Sequence, residues 1–357
     1  MGSPEPSVMP YHPELSQDFG YRNEFMSELV SVIIPSYSRR YDLCQCIDSM
    51  LAQTSVSIEI IVVDDCSEDD TREVLSRNYP DVRLISCVRR YGPSHLRNLG
   101  LKEAKGAFIL FLDSDVALPK QDIVWRMVET LSRDRDIGEI GGEIPVYRNM
   151  MDAAIGKRRD FFGKNHDVIS TKDEKAESQL KECTYLATCN CMVRKGVAFE
   201  VGGFDPYYRF GGEDTDFGYR ILRSGYSNRV DFKVGVHHHR STVGRYPDET
   251  YRYHRTRVRF NLKHLSEIRN LILFIMDFLS FLIFYFLLVP KVLVKRIKND
   301  KLVHENYFGG WYLMKAYIVN LWKYAEIKRL RGINFLSKEE MKRFETYVVF
   351  EEKKQAK

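Results

Sequence analysis

The stretch Phe108-Ile-Leu-Phe-Leu-Asp-Ser-Asp115 constrains the fold more than any other. An unbroken apolar run stops at two carboxylates one residue apart. A run without polar alternation, entered from Gly106, reads as a central strand of a parallel sheet covered on both faces. In open α/β sheets, ligands collect at the carboxyl ends of such strands. Asp113 and Asp115 fall there, and strand alternation turns both to one side and Ser114 to the other. Two hard oxygen ligands suit Mg²⁺ or Mn²⁺ when phosphates and water complete the coordination. Asp-Ser-Asp is also ordinary turn chemistry, so the neighbouring segments decide between the two.

Those segments alternate. Strands are expected at 29–34, 58–63, 82–88 and 108–112, with helices at 41–53, 71–77 and 94–105 between them. Short connections and this alternation predict a doubly wound, mainly parallel sheet flanked by helices. Farther on, a helix is expected over 120–133 and strands over 137–146, 185–193 and 229–238. The charged segment 150–180 reads as a surface excursion or a lid. Residues 1–28, rich in Pro and polar side chains, read as a loose arm. That leaves 29–245 as a catalytic domain and 246–357 as a helical, membrane-associating region.

Bulk composition narrows the classes. A net charge of +5 over 357 residues gives no reason to expect nucleic acid as partner. The seven cysteines include no CxxC pair, so neither a disulfide framework nor a structural zinc site is expected. Free thiols in apolar stretches suggest a reducing compartment. The first thirty residues lack the apolar core of a signal peptide, so the chain is expected to start in the cytoplasm.

Three strand ends carry polar groups on one side of the sheet, at Pro35 to Arg39, at Asp64-Asp65 and at Asp113 with Asp115. A nucleotide lying across them could stack on Tyr37 and donate from its base to Asp65. Asp113 could hold ribose hydroxyls, and Asp115 a metal on the diphosphate. The Arg97 guanidinium suits a phosphate. Asp64-Asp65 could equally cap a loop, and Arg97 could lie on a solvated helix face. A second group is Gly211-Gly-Glu-Asp214, where glycines admit a ligand and the carboxylates start a helix. The positive end of that helix is expected to hold Asp214 ionised, as a general base must be; a simple capped helix start fits the same residues. A third is His237-His-His-Arg240, whose alternation sends His237 and His239 to one side and His238 to the other. One imidazole could complete the metal site, which Mn²⁺ accepts more readily than Mg²⁺, although consecutive histidines also make polar surface turns.

Taken together, Ser31-Val-Ile-Ile-Pro-Ser-Tyr, Ile61-Val-Val-Asp-Asp-Cys-Ser, Gly92-Pro-Ser-His-Leu-Arg-Asn-Leu-Gly, Phe111-Leu-Asp-Ser-Asp and Gly202-Gly-Phe-Asp with the later Gly-Glu-Asp-Thr-Asp resemble the family 2 inverting glycosyltransferases. The likeness extends over roughly residues 30 to 240. It implies a GT-A fold, a nucleotide-sugar donor bound around Pro35, Tyr37, Arg39, Asp65, Arg97, Asp113 and Ser114, and Mn²⁺ or Mg²⁺ on Asp113 and Asp115. It also implies Asp214 as base, with Glu213 beside it as the alternative, and a histidine, His237 before His239, as a further metal ligand. Cys66 and Leu96 stand where many members have Gly and Ala. The Gln-x-x-Arg-Trp motif of processive synthases is absent, so one sugar per encounter is expected. A polyprenyl-phosphate sugar synthase, whose acceptor needs no strong base, is an alternative. A catalytically silent nucleotide-sugar binding protein is another.

The last third is different in kind. Leu271 to Val289 is apolar over nineteen residues, broken by Asp277 and Ser280, which at about 1.5 Å per residue just reaches across a hydrocarbon layer of roughly 30 Å. Asp277 near its middle would cost about 2.5–3.5 kcal/mol in a spanning helix. From Lys291 to Lys357 there are sixteen Lys and Arg against eight Asp and Glu, a segment that the positive-inside rule keeps from export. An interfacial helix pair is therefore expected, with Asp277 near water. Its place would be the cytoplasmic face of a membrane, with a glycan or lipid-linked acceptor there.

Overall fold

The structure, a computed structural model, describes residues 28–142, 144, 157–159, 165–167, 180–209, 211–239, 249–295, 301–342 and 349–350, without the side chains of 157–159, 165–167, 249–250, 284–310, 342 and 349–350. The expected N-terminal arm, nearly all of the 150–180 excursion, and the side chains of the apolar run after Ile283 lie outside what is described. Four parallel strands open the chain: β1 (Leu29–Ser36), β2 (Ser57–Asp64), β3 (Arg83–Ser86) and β4 (Phe108–Leu112). Helices α1 (Arg40–Leu51), α2 (Thr71–Asn78) and α3 (Pro93–Glu103) connect them. Next come β5 (Val116–Ala117), α4 (Ile123–Arg133), β6 (Ile137–Gly141), the hairpin strands β7 (Lys157–Arg159) and β8 (Asn165–Asp167), β9 (Lys181–Cys183) and β10 (Asn190–Arg194). They are followed by α5 (Lys195–Glu200), α6 (Glu213–Arg223), β11 (Ser227–Val230) and β12 (His237–His238), and β13 (Val349–Phe350) lies near the C-terminus. The main sheet has nine strands in the order β13-β3-β2-β1-β4-β10-β6-β11-β9.

The apolar run of β4 is central because both of its faces are covered. Leu110 and Leu112 join Val30, Val32 and Ile34 against Leu43 and Ile47 of α1 and Met127 of α4. Ile109 and Phe111 join Ile33 and Ile61 against Leu96 of α3, Val197 of α5 and Phe217 of α6. Phe111 meets Phe204 and Phe217 edge-on, at 5.0 and 6.1 Å between ring centroids. These contacts seat the 202–205 turn and α6 under the end of β4, which brings the Glu213-Asp214 segment to the strand end that carries Asp113 and Asp115.

Two expected strands are corrected. The run 185–193 forms strand only over Asn190–Arg194, antiparallel to both β4 and β6. The run 229–238 is two strands: β11 pairs with β6 and β9, and β12 leaves the main sheet to pair with β5. A continuous β-like pattern cannot show that a chain changes partner midway.

The C-terminal helices are α7 (Glu249–His264), α8 (Glu267–Lys295) and α9 (Lys301–Trp322). Val258 and Leu262 of α7 pack on Leu313, Ala316 and Tyr317 of α9. The other side of α7 is pinned to the sheet domain by buried charges. Lys263 Nζ lies 2.8 Å from Asp205 and 2.7 Å from Asp216, and His264 Nε2 lies 2.7 Å from Asp216. Arg220 of α6 closes the group through Asp216 at 2.8 Å. Among the described residues no helix is long and apolar enough to cross a membrane.

Candidate active site

The carboxyl ends of β1, β2 and β4 open into a cleft of about 540 Å³. Asp113, Asp115 and His238 converge in it, with one ligating atom of each within 4.8 Å of the others. Asp115 is 2 % exposed, with Arg39 Nη1 at 3.3 Å and His238 Nε2 at 3.2 Å. The expectation of His237 or His239 is corrected here, because the imidazole at the carboxylates is His238. The pairing of β12 with β5 places His238 opposite Val116, and the His239 N–H donates to the Asp115 carbonyl at 2.9 Å. That pairing, not the order of the three histidines, decides which ring reaches the site. Ser114 is buried and lines the cleft with the two aspartates, because the strand ends at Leu112 and alternation stops with it.

The two aspartates that follow β2 divide their work. Asp64 is wholly buried, accepting from Arg72 Nε at 2.9 Å and from the Ser67 N–H at 3.1 Å, so it ties up its own loop. Asp65 lines the cleft and accepts the Tyr91 and Gly92 N–H groups at 2.7 and 3.1 Å. Burial raises the Asp65 carboxyl against the pull of those two bonds. Cys66 beside it has φ 65°, a left-handed conformation in which glycine is at ease. Pro35 and Tyr37 line the same end, and the Arg90 guanidinium lies 3.7 Å from the centre of the Tyr37 ring.

Arg97 does more than expected. Its guanidinium is 2 % exposed and bridges Asp113 Oδ1 at 2.8 Å and Glu213 Oε1 at 3.0 Å. It lines the cleft, as expected of a donor-side residue, but α3 sets it between two carboxylates, and both of its terminal nitrogens bond to them. It thereby joins the two acidic groups into one unit.

The three acids in the first turn of α6 meet three fates. Glu213 is buried, lines the cleft and pairs with Arg97. Asp216 is fully buried, and the positive charges of Lys263 and Arg220 outweigh its desolvation and hold its carboxyl well below the usual range. Asp214 accepts from Thr215, through its N–H at 2.7 Å and its hydroxyl at 3.3 Å. Burial, and after it the neighbouring Glu213, push the Asp214 carboxyl up to about 7. The expectation that the helix end keeps it ionised is thus reversed in direction, since a dipole effect of about 0.3–1 kcal/mol is smaller than this burial penalty.

One wall of the cleft is absent from the sequence reading. Arg252, Tyr253 and Thr256 of α7 line it. A Cβ on Gly212, which has φ 87°, would come within 2.9 Å of the Thr256 Cβ, so the glycine turn before the acid pair admits α7 at close range. The dense basic run 252–259 was the visible signal, but its partners Asp205 and Asp277 are distant in sequence.

Residues 31–202 match the family model described as Glycosyl transferase family 2. The chain is 31% identical over 204 residues to glycosyltransferase AglE of Haloferax volcanii, covering 56% of this chain and 62% of that protein. It is 26% identical to the chondroitin synthase of Escherichia coli, covering 66% of this chain and 40% of the synthase. Over 90 residues it is 43% identical to UDP-Glc:alpha-D-GlcNAc-diphosphoundecaprenol beta-1,3-glucosyltransferase WfaP of Escherichia coli, covering 25% of this chain and 36% of that one. The chain thus spans less than two thirds of the length of each of these relatives. Among solved structures, GalNAc-T7 with UDP, GalNAc and Mn²⁺ superposes with TM-score 0.56 at 20% identity, over 67% of this chain and 48% of that one. Mannosyltransferase PcManGT from Pyrobaculum calidifontis, in complex with GDP-Man and Mn²⁺, superposes with TM-score 0.52 at 17% identity, over 86% and 94%. These likenesses show the fold, which is GT-A. Through residues 31–202 the chain is similar to glycosyl transferase family 2.

Proposed function

We propose that this protein moves one sugar, with inversion, from a nucleotide-sugar donor to a hydroxyl of a glycan or lipid-linked acceptor. The observation that carries the proposal is the Arg97 bridge, which ties the Asp113–Asp115–His238 group to Glu213 in a single cleft, with Asp214 the next residue along α6. The donor set fits a divalent cation, since two carboxylates and an imidazole match Mn²⁺ well and Mg²⁺ less well. Such a cation, when bound, offsets charge on the diphosphate as it leaves. Asp214, not engaged by Arg97, takes the proton of the acceptor hydroxyl. The acceptor oxygen then forms its bond to the anomeric carbon as the carbon–oxygen bond to the diphosphate breaks, and the nucleoside diphosphate leaves with that electron pair.

The C-terminal helices support a membrane surface as the setting, on its cytoplasmic face. On α8, Ile268, Leu271, Ile272, Ile275, Leu279 and Ile283 are exposed along one side, and on α9 so are Trp311, Ile318 and Trp322. A continuous apolar face of this kind suits the headgroup boundary of a bilayer. Asp277 points the other way, not to water as expected. It bonds to Arg257 at 2.6 Å and to the Tyr317 hydroxyl at 2.7 Å, so it fixes which side of α8 faces protein.

The test is nucleoside diphosphate release from UDP-glucose, UDP-GalNAc and GDP-mannose with Mn²⁺, with and without chelator. Metal-dependent release from at least one donor is expected. Binding of the nucleotides without any turnover would favour a silent binding protein instead.

A further inference from the structure

Under α6 the sheet holds a carboxyl that the transfer reaction does not use. Glu139 of β6 is 1 % exposed. It accepts the Leu186 N–H at 3.2 Å and the Cys191 thiol at 3.4 Å, and the charge of Asp214 reaches it from α6. Among the described residues no Lys, Arg or His pairs with it. Burial above all pushes its carboxyl up to about 8, against the pull of those two bonds. Beside it stands the complementary deficit. Asn228 of β11 is in register with Glu139 across the parallel pairing and is equally buried. Its amide nitrogen donates to the carbonyls of Thr184 and Gly218, both at 2.9 Å, which fixes the orientation of the amide. Its Oδ1 is buried and has no donor among the described residues, which is costly unless a hydrogen reaches it. Both side chains lie against Gly218 of α6. A Cβ there would come within 2.7 Å of Glu139 Oε1 and 2.6 Å of the Tyr185 Cβ, so glycine lets the helix rest directly on the pair. Gly218 and Asp214 are four residues apart and share a face of that helix.

We infer that Glu139 is a neutral acid that donates its hydrogen to Asn228 Oδ1, and that the pair is a positioning unit for α6 and, through it, for Asp214. One hydrogen then meets both deficits, since the acid has a proton to give and the amide oxygen needs one. An ionised Glu139 would fail twice: it would leave Asn228 Oδ1 unmet and set a second buried charge near Asp214. A hydrogen-bonded pair fixes a helix in a direction that an apolar contact leaves free, and a proton acceptor works only when held in place. The catalytic part of the inference rests on the transfer reaction proposed above. The bond itself does not.

The experiment starts with infrared absorption of the full chain at about pH 6, well above the ordinary Glu value of about 4.3. Wild type should show a protonated-carboxyl band that Glu139→Gln lacks; bands from other raised carboxyls, Asp214 among them, stay in both spectra and cancel. Urea unfolding of the same two proteins is the second arm. The folded chain keeps the Glu139 proton after the unfolded chain has lost it, so wild type should lose stability relative to Glu139→Gln as pH rises from about 5 to 8. The third arm is transfer. Glu139→Gln, whose amide still donates to Asn228, should stay within a few-fold of wild type with the same midpoint on the acid limb of its pH profile. Glu139→Leu should lose about tenfold in kcat with Mn²⁺-dependent UDP binding unchanged, short of the roughly hundredfold cost of a 1 Å misplacement. An infrared band that survives in Glu139→Gln would overturn the inference. So would a lowered acid-limb midpoint in that variant, which means an ionised Glu139, or a Glu139→Leu that transfers like wild type. If wild type transfers no sugar while the band is present and lost in Glu139→Gln, the transfer reading fails and the Glu139–Asn228 bond stands.

Discussion

At the sheet edge, each functional side chain sits within a residue or two of a strand end. Across the cleft, α7 reaches the site only through carboxylates up to 58 positions away in sequence, as from Lys263 to Asp205. The first wall is specified by local pattern and backbone pairing, and Asp65, Asp113 and Asp115 lie in the stretch that matches the family model while His238 lies beyond it. The second wall is specified by buried charge and lies outside that part. A site can therefore keep its donor chemistry in a shared frame while an added helix, held by ion pairs, shapes what else enters.

The largest effect should come from breaking the charge that holds α7. Lys263→Met leaves Asp205 and Asp216 buried beside one another with less compensation, and should cost about 3–5 kcal/mol of stability by denaturant unfolding. A cost under about 1 kcal/mol would mean that α7 is not held this way. On the other wall, Asp115→Ala should weaken Mn²⁺-dependent UDP binding by roughly ten- to a hundredfold, the range seen even for supporting metal-site residues. His238→Ala should follow in the same direction, whereas His237→Ala should not; the reverse order would restore the ligand choice that alternation suggests. Asp277→Asn removes the charge facing Arg257 and should cost about 1–3 kcal/mol. Smallest of all, Ile275→Ser on the exposed side of α8 should change stability by no more than about 0.5 kcal/mol yet reduce retention on anionic vesicles. Unchanged retention would remove the bilayer from the account.

The parallel half of the fold was legible because a fully apolar β4 and short βα connections leave few alternatives, and Asp113, Asp115 and Asp65 fell at its strand ends as a consequence. His238 was not legible. Its place follows from β12 changing partner to β5, and no spacing among three adjacent histidines encodes that. Arg97 was read as a phosphate ligand because a helix position shows a side chain's reach but not the carboxylates waiting on either side of it. Asp277 looked like a liability in an apolar helix until Arg257 and Tyr317 supplied its partners. For Arg97 and Asp277 the missing information was a long-range contact between charged groups, and for His238 it was a strand pairing.

The account stands most directly on the protonation of Asp214. With its carboxyl pushed up to about 7, the base form prevails above that pH and is lost below it. The measurement is kcat/KM for transfer as a function of pH, in wild type and in Asp214→Asn. In wild type, the profile should rise about tenfold per pH unit below about 7 and level off above it. In Asp214→Asn, the rate should drop roughly a hundredfold and that rise should vanish. A variant that keeps the same rise, or that transfers within a few-fold of wild type, would contradict Asp214 as the base and put Glu213 or a phosphate acceptor in its place.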